Sequence, residues 1–345
     1  MIKSHNFPNK AMRRVDRRSQ LQRWIETRLN ASPLALEPAS ADASFRRYFR
    51  VRAGGLSLIA MDAPPAHEDC RPFVRIAGLL AAAGVHVPRV IAADLEQGFL
   101  LLSDLGTTSY LQALNDASAD ELFGDAIDAL LRWQLASRPD VLPPYDEALL
   151  TREMKLFTEW YLQRHLGCTL DPAQRRTLAA VFALILANNL AQPAVYVHRD
   201  YMPRNLMVCE PNPGVLDFQD AVYGPITYDV ASLFRDAFVS WDEERVLDWT
   251  ARYWEKARRA GLPVNSDFGS FYRDAEWMGL QRHLKVLGIF ARLYYRDGKR
   301  GYLEDTARFV GYVRAVAGRY PALNPLLELL DEIASKPRAR AGYTF

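Results

Sequence analysis

The feature that most limits the fold of this chain is one change of periodicity near residue 103. Before it, apolar residues come in short alternating runs. After it, they recur every three to four residues over long stretches. Residues 45–52 alternate and are rich in aromatics, Gly54 and Gly55 supply a turn, and residues 56–61 return, which predicts a β-hairpin. Residues 68–83 predict a helix closed by Gly84, and residues 90–94 and 99–102 predict two strands around a turn at Glu96, Gln97 and Gly98. A helix over 15–30, with Leu21, Trp24, Ile25 and Leu29 on one face, precedes them and is broken by Pro33 and Pro38. Beyond residue 103, helices are expected over 109–114, 119–136, 152–165 and 171–189, the last capped by Asp171 with Pro172 at its first position. They are interrupted by a β-rich island over 195–218. The pattern predicts an α+β protein of two lobes: a sheet-rich lobe over 1–102, a hinge over 103–108 and a mostly helical lobe over 109–345. A cleft between two such lobes is the expected ligand site.

A chain of 345 residues with 49% hydrophobic and 24% charged content has ample material for a core. A formal net charge of +2 gives no field that would draw nucleic acid or a membrane surface. The basic residues Arg13, Arg14, Arg17, Arg18 and Arg23 read as a solvated helix face or a mobile start. Cys70, Cys168 and Cys209 are few and far apart with no C-x-x-C pair, which suggests neither a disulfide framework nor a zinc site. The longest apolar run, over 178–187, is about half of what a bilayer needs. A cytoplasmic protein with no obligatory protein partner is expected.

Chemistry concentrates in the β-rich island. His198-Arg199-Asp200 and, five residues after the aspartate, Asn205 lie in a loop between two short strands; a turn over 211–214 then leads to Asp217. One strand–loop–strand–turn–strand unit can therefore bring Asp200, Asn205 and Asp217 to one point. Phosphoryl transfer needs such a point. The γ-phosphate charge must be neutralised by a metal, and Mg²⁺ takes hard oxygens, here the Asp217 carboxylate and the Asn205 amide oxygen. A further carboxylate, Asp200, must orient the acceptor hydroxyl and receive its proton. His198 is assigned a packing and hydrogen-bonding role.

The loop resembles the H-R-D-x-x-x-x-N catalytic loop of kinases. Leu216-Asp217-Phe218-Gln219-Asp220, followed by Gly224-Pro225 and Tyr228-Asp229-Val230-Ala231, resembles the aminoglycoside phosphotransferase family rather than the D-F-G segment of protein kinases. The resemblance covers the chain from about Ser40 onward and implies a two-lobed protein-kinase-like fold using ATP and Mg²⁺, with Asp229 tying a helix start to the catalytic loop. It further implies that the hairpin turn at Ser44, Arg46 and Arg47 meets the nucleotide phosphates, and that Leu102 and Asp104 present backbone to adenine. Exposed hairpin charges, and core packing of Leu102, are the alternative readings. One departure stands out: Met61 occupies the place where a kinase strand carries its lysine, so the hairpin arginines become candidates for the lost cation.

Residues 43–51, 60–65 and 281–293 together resemble one subgroup, the anomeric kinases of cell-wall recycling, which implies phosphorylation of C1 of N-acetylmuramate and N-acetylglucosamine, a small-molecule amino sugar. In a helix over 282–296, Arg282, Lys285, Arg292 and Arg296 would form a cationic stripe fit for an acidic sugar, or a solvated face. Arg204 and Asp220, near the metal ligands, are candidates for sugar hydroxyl contacts. A choline or ethanolamine kinase, with an aromatic cage from Trp254, Trp277, Tyr294 and Tyr302, is the alternative, as is a nucleotide-binding regulator without turnover.

Overall fold

The computed structural model describes residues 16–32, 34–40 and 45–335. Ser44 therefore lies outside the described residues, as do Arg13 and Arg14. The chain divides into two compact units: one takes the residues up to Ala77 and Pro88–Asp104, the other Gly78–Val87 and the chain from Leu105 onward. The division runs through a helix that the sequence reading assigned whole to the first lobe.

The first unit is an antiparallel five-stranded sheet. Helix α1 (Arg17–Leu29) is followed by β1 (Glu37–Ser40), β2 (Arg47–Ala53), β3 (Leu56–Asp62), α2 (Arg71–Ala82), β4 (Val90–Asp94) and β5 (Phe99–Ser103). The strands lie in the order β1-β2-β3-β5-β4. The β2–β3 register runs from Arg47 opposite Asp62 to Ala53 opposite Leu56, and Gly54 and Gly55 both turn with positive φ, which costs glycine nothing. Because side chains alternate across a strand, one face of β3 carries Leu58 and Ala60 into a core shared with Leu21 and Ile25 of α1, Phe49 and Val51 of β2, and Phe99 and Leu101 of β5. Met61, on the opposite face, is fully buried, so the position where a kinase strand carries lysine is here an apolar one. Asp62, also fully buried, is held by Arg17 at 2.6 Å and by Arg47.

The second unit is mostly helical. It contains α3 (Tyr110–Ala113), α4 (Ala119–Leu135), α5 (Glu147–Leu156), a π-helical stretch (Phe157–His165) continuing α5, and α6 (Pro172–Leu190). Asp171 caps α6 by accepting from the backbone N–H of Ala173 and Gln174, as the Asp-Pro start predicts. Then come β6 (Ala194–Val197), β7 (Leu206–Met207), β8 (Gly214–Val215), β9 (Val222–Pro225), α7 (Tyr228–Phe234), α8 (Glu243–Arg259), α9 (Phe268–Tyr295), α10 (Thr306–Arg319) and α11 (Asn324–Ser335). β6 pairs with β9, and β7 with β8, both antiparallel.

Two departures from the sequence reading matter for the site. The helix expected over 152–165 starts earlier, at Glu147, and changes winding at Phe157. α9 approaches at the same point: a Cβ placed on Gly288 would lie 2.3 Å from the Leu156 carbonyl carbon, so the two helices touch backbone to backbone where the winding changes. The cationic stripe expected over 282–296 does not form one surface. From Ala275 to Ala291, α9 is buried nearly all round; Arg282 and Lys285 lie inside the unit, while Arg296 is exposed and paired with Asp297.

Candidate active site

The short hairpin β7–β8 positions the metal-ligand candidates. Leu206 pairs with Val215, and the Leu216 N–H donates to the Asn205 carbonyl at 2.9 Å, so residues 205 and 216 are opposite and Asp217 follows immediately. Asp217 has φ +62, a left-handed conformation that costs a non-glycine residue about 1 kcal/mol and is held only where its surroundings fix it. Here Gln219 donates to its Oδ1 at 3.0 Å and Asn205 Nδ2 to its Oδ2 at 3.4 Å. The same Asn205 amide nitrogen donates to the Asp200 carbonyl at 2.9 Å. One amide thus joins both ends of the loop to the following turn. With its nitrogen committed, Asn205 presents its Oδ1, which accepts no hydrogen bond among the described residues.

Asp200 is aimed by the two residues before it. Arg199 has φ +76, turning the chain sharply. Asp229, fully buried in the first turn of α7, accepts the backbone N–H of His198 at 2.6 Å and of Arg199 at 3.0 Å. Burial pushes the Asp229 carboxyl up to about 7 against the pull of these two N–H groups. This is the helix-to-loop tie that the family resemblance implies. The His198 ring, 1% exposed, accepts the Asp200 N–H on Nδ1 at 3.3 Å. Burial drives its pKa down to about 4, so it is a neutral acceptor and not a proton carrier at neutral pH.

A second anchor holds the Arg199 side chain, and the sequence reading did not find it. Glu153 of α5 takes Arg199 Nη2 at 2.5 Å, Lys285 Nζ at 3.2 Å, Gln281 Nε2 at 3.2 Å and the Tyr145 hydroxyl. Gln281, Lys285 and Gly288 fall on one stripe of α9, and Glu153 and Leu156 on the facing stripe of α5. The close approach at Gly288 brings the polar pair above it together. Burial alone would raise the Glu153 carboxyl, but Lys285, Arg199 and Tyr145 outweigh it and hold it at about 2. Lys285 is thus a strut of the catalytic loop, donating also to the Tyr228 hydroxyl at 2.9 Å. No sequence signal marks Glu153, because its partners are remote in the chain.

Of the remaining candidates, Arg282 is 2% exposed and donates to the Arg235 carbonyl at 3.5 Å. Asp220 is exposed beside Gln219, whose amide reaches it at 3.5 Å. Arg204, in a 3-10 turn (Pro203–Asn205), has its guanidinium 4.8 Å from the centre of the Phe238 ring. In the first unit, Arg46 pairs with Glu68 at 3.0 Å and Arg47 with Asp62. Leu102 is a buried β5 residue opposite Ile59. Asp104 uses its carboxylate within the same unit, on Arg50 at 2.6 Å and Ser57 Oγ at 2.5 Å.

One amide tying the Asp200 backbone to the Asp217 carboxylate, on this order of strands and helices, marks a class. The chain belongs to the phosphotransferase enzyme family, whose sequence profile matches residues 35–264. Among its relatives is a protein of Pseudomonas putida (strain KT2440) named N-acetylmuramate/N-acetylglucosamine kinase, 54% identical over 333 residues that span 94% of this chain and 98% of the relative. Two solved structures share the fold at low identity. A choline/ethanolamine kinase family protein from Mesorhizobium loti has a TM-score of 0.59 at 15% identity, covering 90% of this chain and 99% of that one. An aminoglycoside 2'-phosphotransferase in complex with GDP has a TM-score of 0.58 at 14% identity, covering 88% and 99%. Among the described residues no helix is long and apolar enough to cross a membrane.

Proposed function

We propose that this kinase transfers the γ-phosphoryl group of ATP to the anomeric C1 hydroxyl of N-acetylmuramate and N-acetylglucosamine, in the cytoplasm. The observation that carries the chemistry is the junction at Asn205, where one amide meets the backbone of the base residue and the carboxylate of the metal-ligand candidate. The close relative supports the choice of sugar. In the transfer, Asp200 accepts a hydrogen bond from the C1 hydroxyl, whose oxygen forms the new bond to the γ-phosphorus. The bond from phosphorus to the β,γ-bridging oxygen breaks, ADP leaves with that electron pair, and the proton of the C1 hydroxyl passes to the Asp200 carboxylate. Asp229 and Glu153 keep the loop from turning away during this step.

Asn205 Oδ1 and the Asp217 carboxylate are the donor set that suits Mg²⁺, one neutral and one anionic hard oxygen, with the remaining positions left to phosphate and water. When bound, the ion neutralises charge on the nucleotide phosphates. Arg46 and Arg47, with Ser44 of the same sequence segment, remain the candidates for nucleotide phosphate contacts, and the backbone at Leu102 and Asp104 for adenine. Asp220, exposed and three residues after the metal-ligand candidate Asp217, remains a candidate for a sugar hydroxyl.

Release of ADP in a coupled assay over N-acetylmuramate, N-acetylglucosamine, choline and an aminoglycoside tests the reading. Turnover of both amino sugars, with a product whose phosphorus couples to the anomeric proton, is expected. Turnover of choline alone would replace it with the amine-kinase alternative, and nucleotide binding without any turnover would replace it with a regulator.

A further inference from the structure

The two sugars of the proposed reaction differ in one charged group, the lactyl carboxylate of N-acetylmuramate. A kinase that takes this acidic sugar needs a cation near the reacting segment, and the structure narrows where it is. Among the described residues, Arg199 and Arg204 belong to the catalytic loop, and Arg282 and Lys285 pack beside it. Arg199 and Lys285 are committed to Glu153. Arg282 is buried, bonded to the Arg235 carbonyl and to the Met202 sulfur, with the Asp229 and Asp236 carboxylates near it. Arg204 differs from all three. It is half-buried, and among the described residues it has no hydrogen bond and no ion pair.

What Arg204 does have is an aromatic support. Its guanidinium lies 4.8 Å from the Phe238 ring centre. A guanidinium stacked on a ring keeps its planar edge available, and that edge matches a carboxylate with two parallel N–H donors. The support is itself pinned. Asp236 accepts the backbone N–H of Phe238 at 3.0 Å and of Val239 at 3.2 Å, Arg308 donates to the Ala237 carbonyl at 2.7 Å, and Ser240 and Tyr312 share a hydrogen bond of 2.7 Å. A loop fixed at four places holds Phe238 as a platform rather than as a passing contact. Arg204 is also the residue between Pro203 and Asn205, so its backbone is fixed by the same turn that carries the Asn205 amide.

Resting on the amino-sugar reading above, we propose that Arg204, held against Phe238, is the receptor for the lactyl carboxylate of N-acetylmuramate and sets the preference between the two sugars. Arg282 and Lys285 of the cationic helix face anticipated from the sequence are internal, and Arg204 of the catalytic loop takes their place.

The test is kcat/KM on both sugars for the wild type, Arg204→Gln, Arg204→Lys and Phe238→Ala, together with the methyl ester of N-acetylmuramate, which lacks the charge. In Arg204→Gln the ratio of N-acetylmuramate to N-acetylglucosamine kcat/KM is expected to fall about 10- to 100-fold, the size of one lost charge-assisted contact, through a rise in KM for N-acetylmuramate. Arg204→Lys, which keeps the charge and loses the fork, is expected to fall between. Phe238→Ala is expected to move the ratio in the same direction by less. The wild type is expected to lose on the ester what Arg204→Gln loses on the acid, and the two changes combined to lose no more than either alone. An unchanged ratio overturns the proposal. So does an equal loss on both sugars, which would make Arg204 a contact of the transferred phosphoryl group. A wild type that phosphorylates neither sugar overturns the amino-sugar reading itself, a result distinct from an active wild type with an unmoved ratio.

Discussion

Replacing Glu153 by glutamine is expected to destabilise the protein by about 3 kcal/mol at neutral pH, and the reason is electrostatic rather than steric. Glutamine keeps the volume and the hydrogen-bonding shape, but it removes the one anion between Arg199 and Lys285, leaving two cations in an environment where Glu153 itself is 5% exposed. Those partners, with Tyr145, hold the Glu153 carboxyl at about 2 against an ordinary 4.5, although burial alone would raise it. A lowering of that size corresponds to about 3 kcal/mol of preference for the charged form in the folded protein. Breaking one side of a buried ion pair independently leads to a cost of about 3–5 kcal/mol. Because the folded carboxyl lies below its unfolded value, the stabilisation is fully present above about pH 4.5 and is lost as pH falls toward 2. Urea unfolding followed by tryptophan fluorescence should show the full gap between wild type and Glu153→Gln at pH 7, narrowing from pH 5 to pH 3. A gap below about 1 kcal/mol at pH 7, or one that does not respond to pH, would refute the assignment of Glu153 as the buried anion of the loop anchor.

Three further outcomes are expected. Gly288→Ala should lower stability by about 1–3 kcal/mol or more, since its methyl meets the Leu156 backbone and not a movable side chain; thermal unfolding measures it, and an unchanged Tm would contradict the backbone contact. Asp229→Ala orphans one buried and one part-buried N–H group at the start of the catalytic loop and should cost about 2–4 kcal/mol with a fall in kcat; loss of activity with full stability would show that Asp229 does not act through the backbone. Asp217→Ala should abolish the Mg²⁺ dependence of nucleotide binding in calorimetry, and retained dependence would remove it from the donor set.

The strands and their partners were legible because alternation and glycine turns are local: β2, β3, β4 and β5 fall where the periodicity places them, within a residue or two. The loop of Asp200, Asn205 and Asp217 was legible because its residues lie close in sequence, and a short hairpin needs no remote information to join them. What escaped was set by remote contacts. The winding change at Phe157 lies where α9 approaches at Gly288, far along the chain, and the role of Lys285 depends on Glu153, so part of an apparently amphipathic charge pattern on α9 lies in an internal ion network. β9 was read as a family segment rather than a strand, because its partner β6 comes before the catalytic loop and the pairing spans that whole loop. The Arg204–Phe238 stack is of the same kind, a catalytic-loop residue meeting a loop beyond α7.

The account turns on Asp200 as the acceptor of the proton of the C1 hydroxyl, and single-turnover kinetics of Asp200→Asn measure that most directly. With N-acetylglucosamine and ATP, the rate of the transfer step is expected to fall by about 10²–10⁴ while ATP affinity stays within about threefold of wild type. A transfer rate within about tenfold of wild type would contradict it.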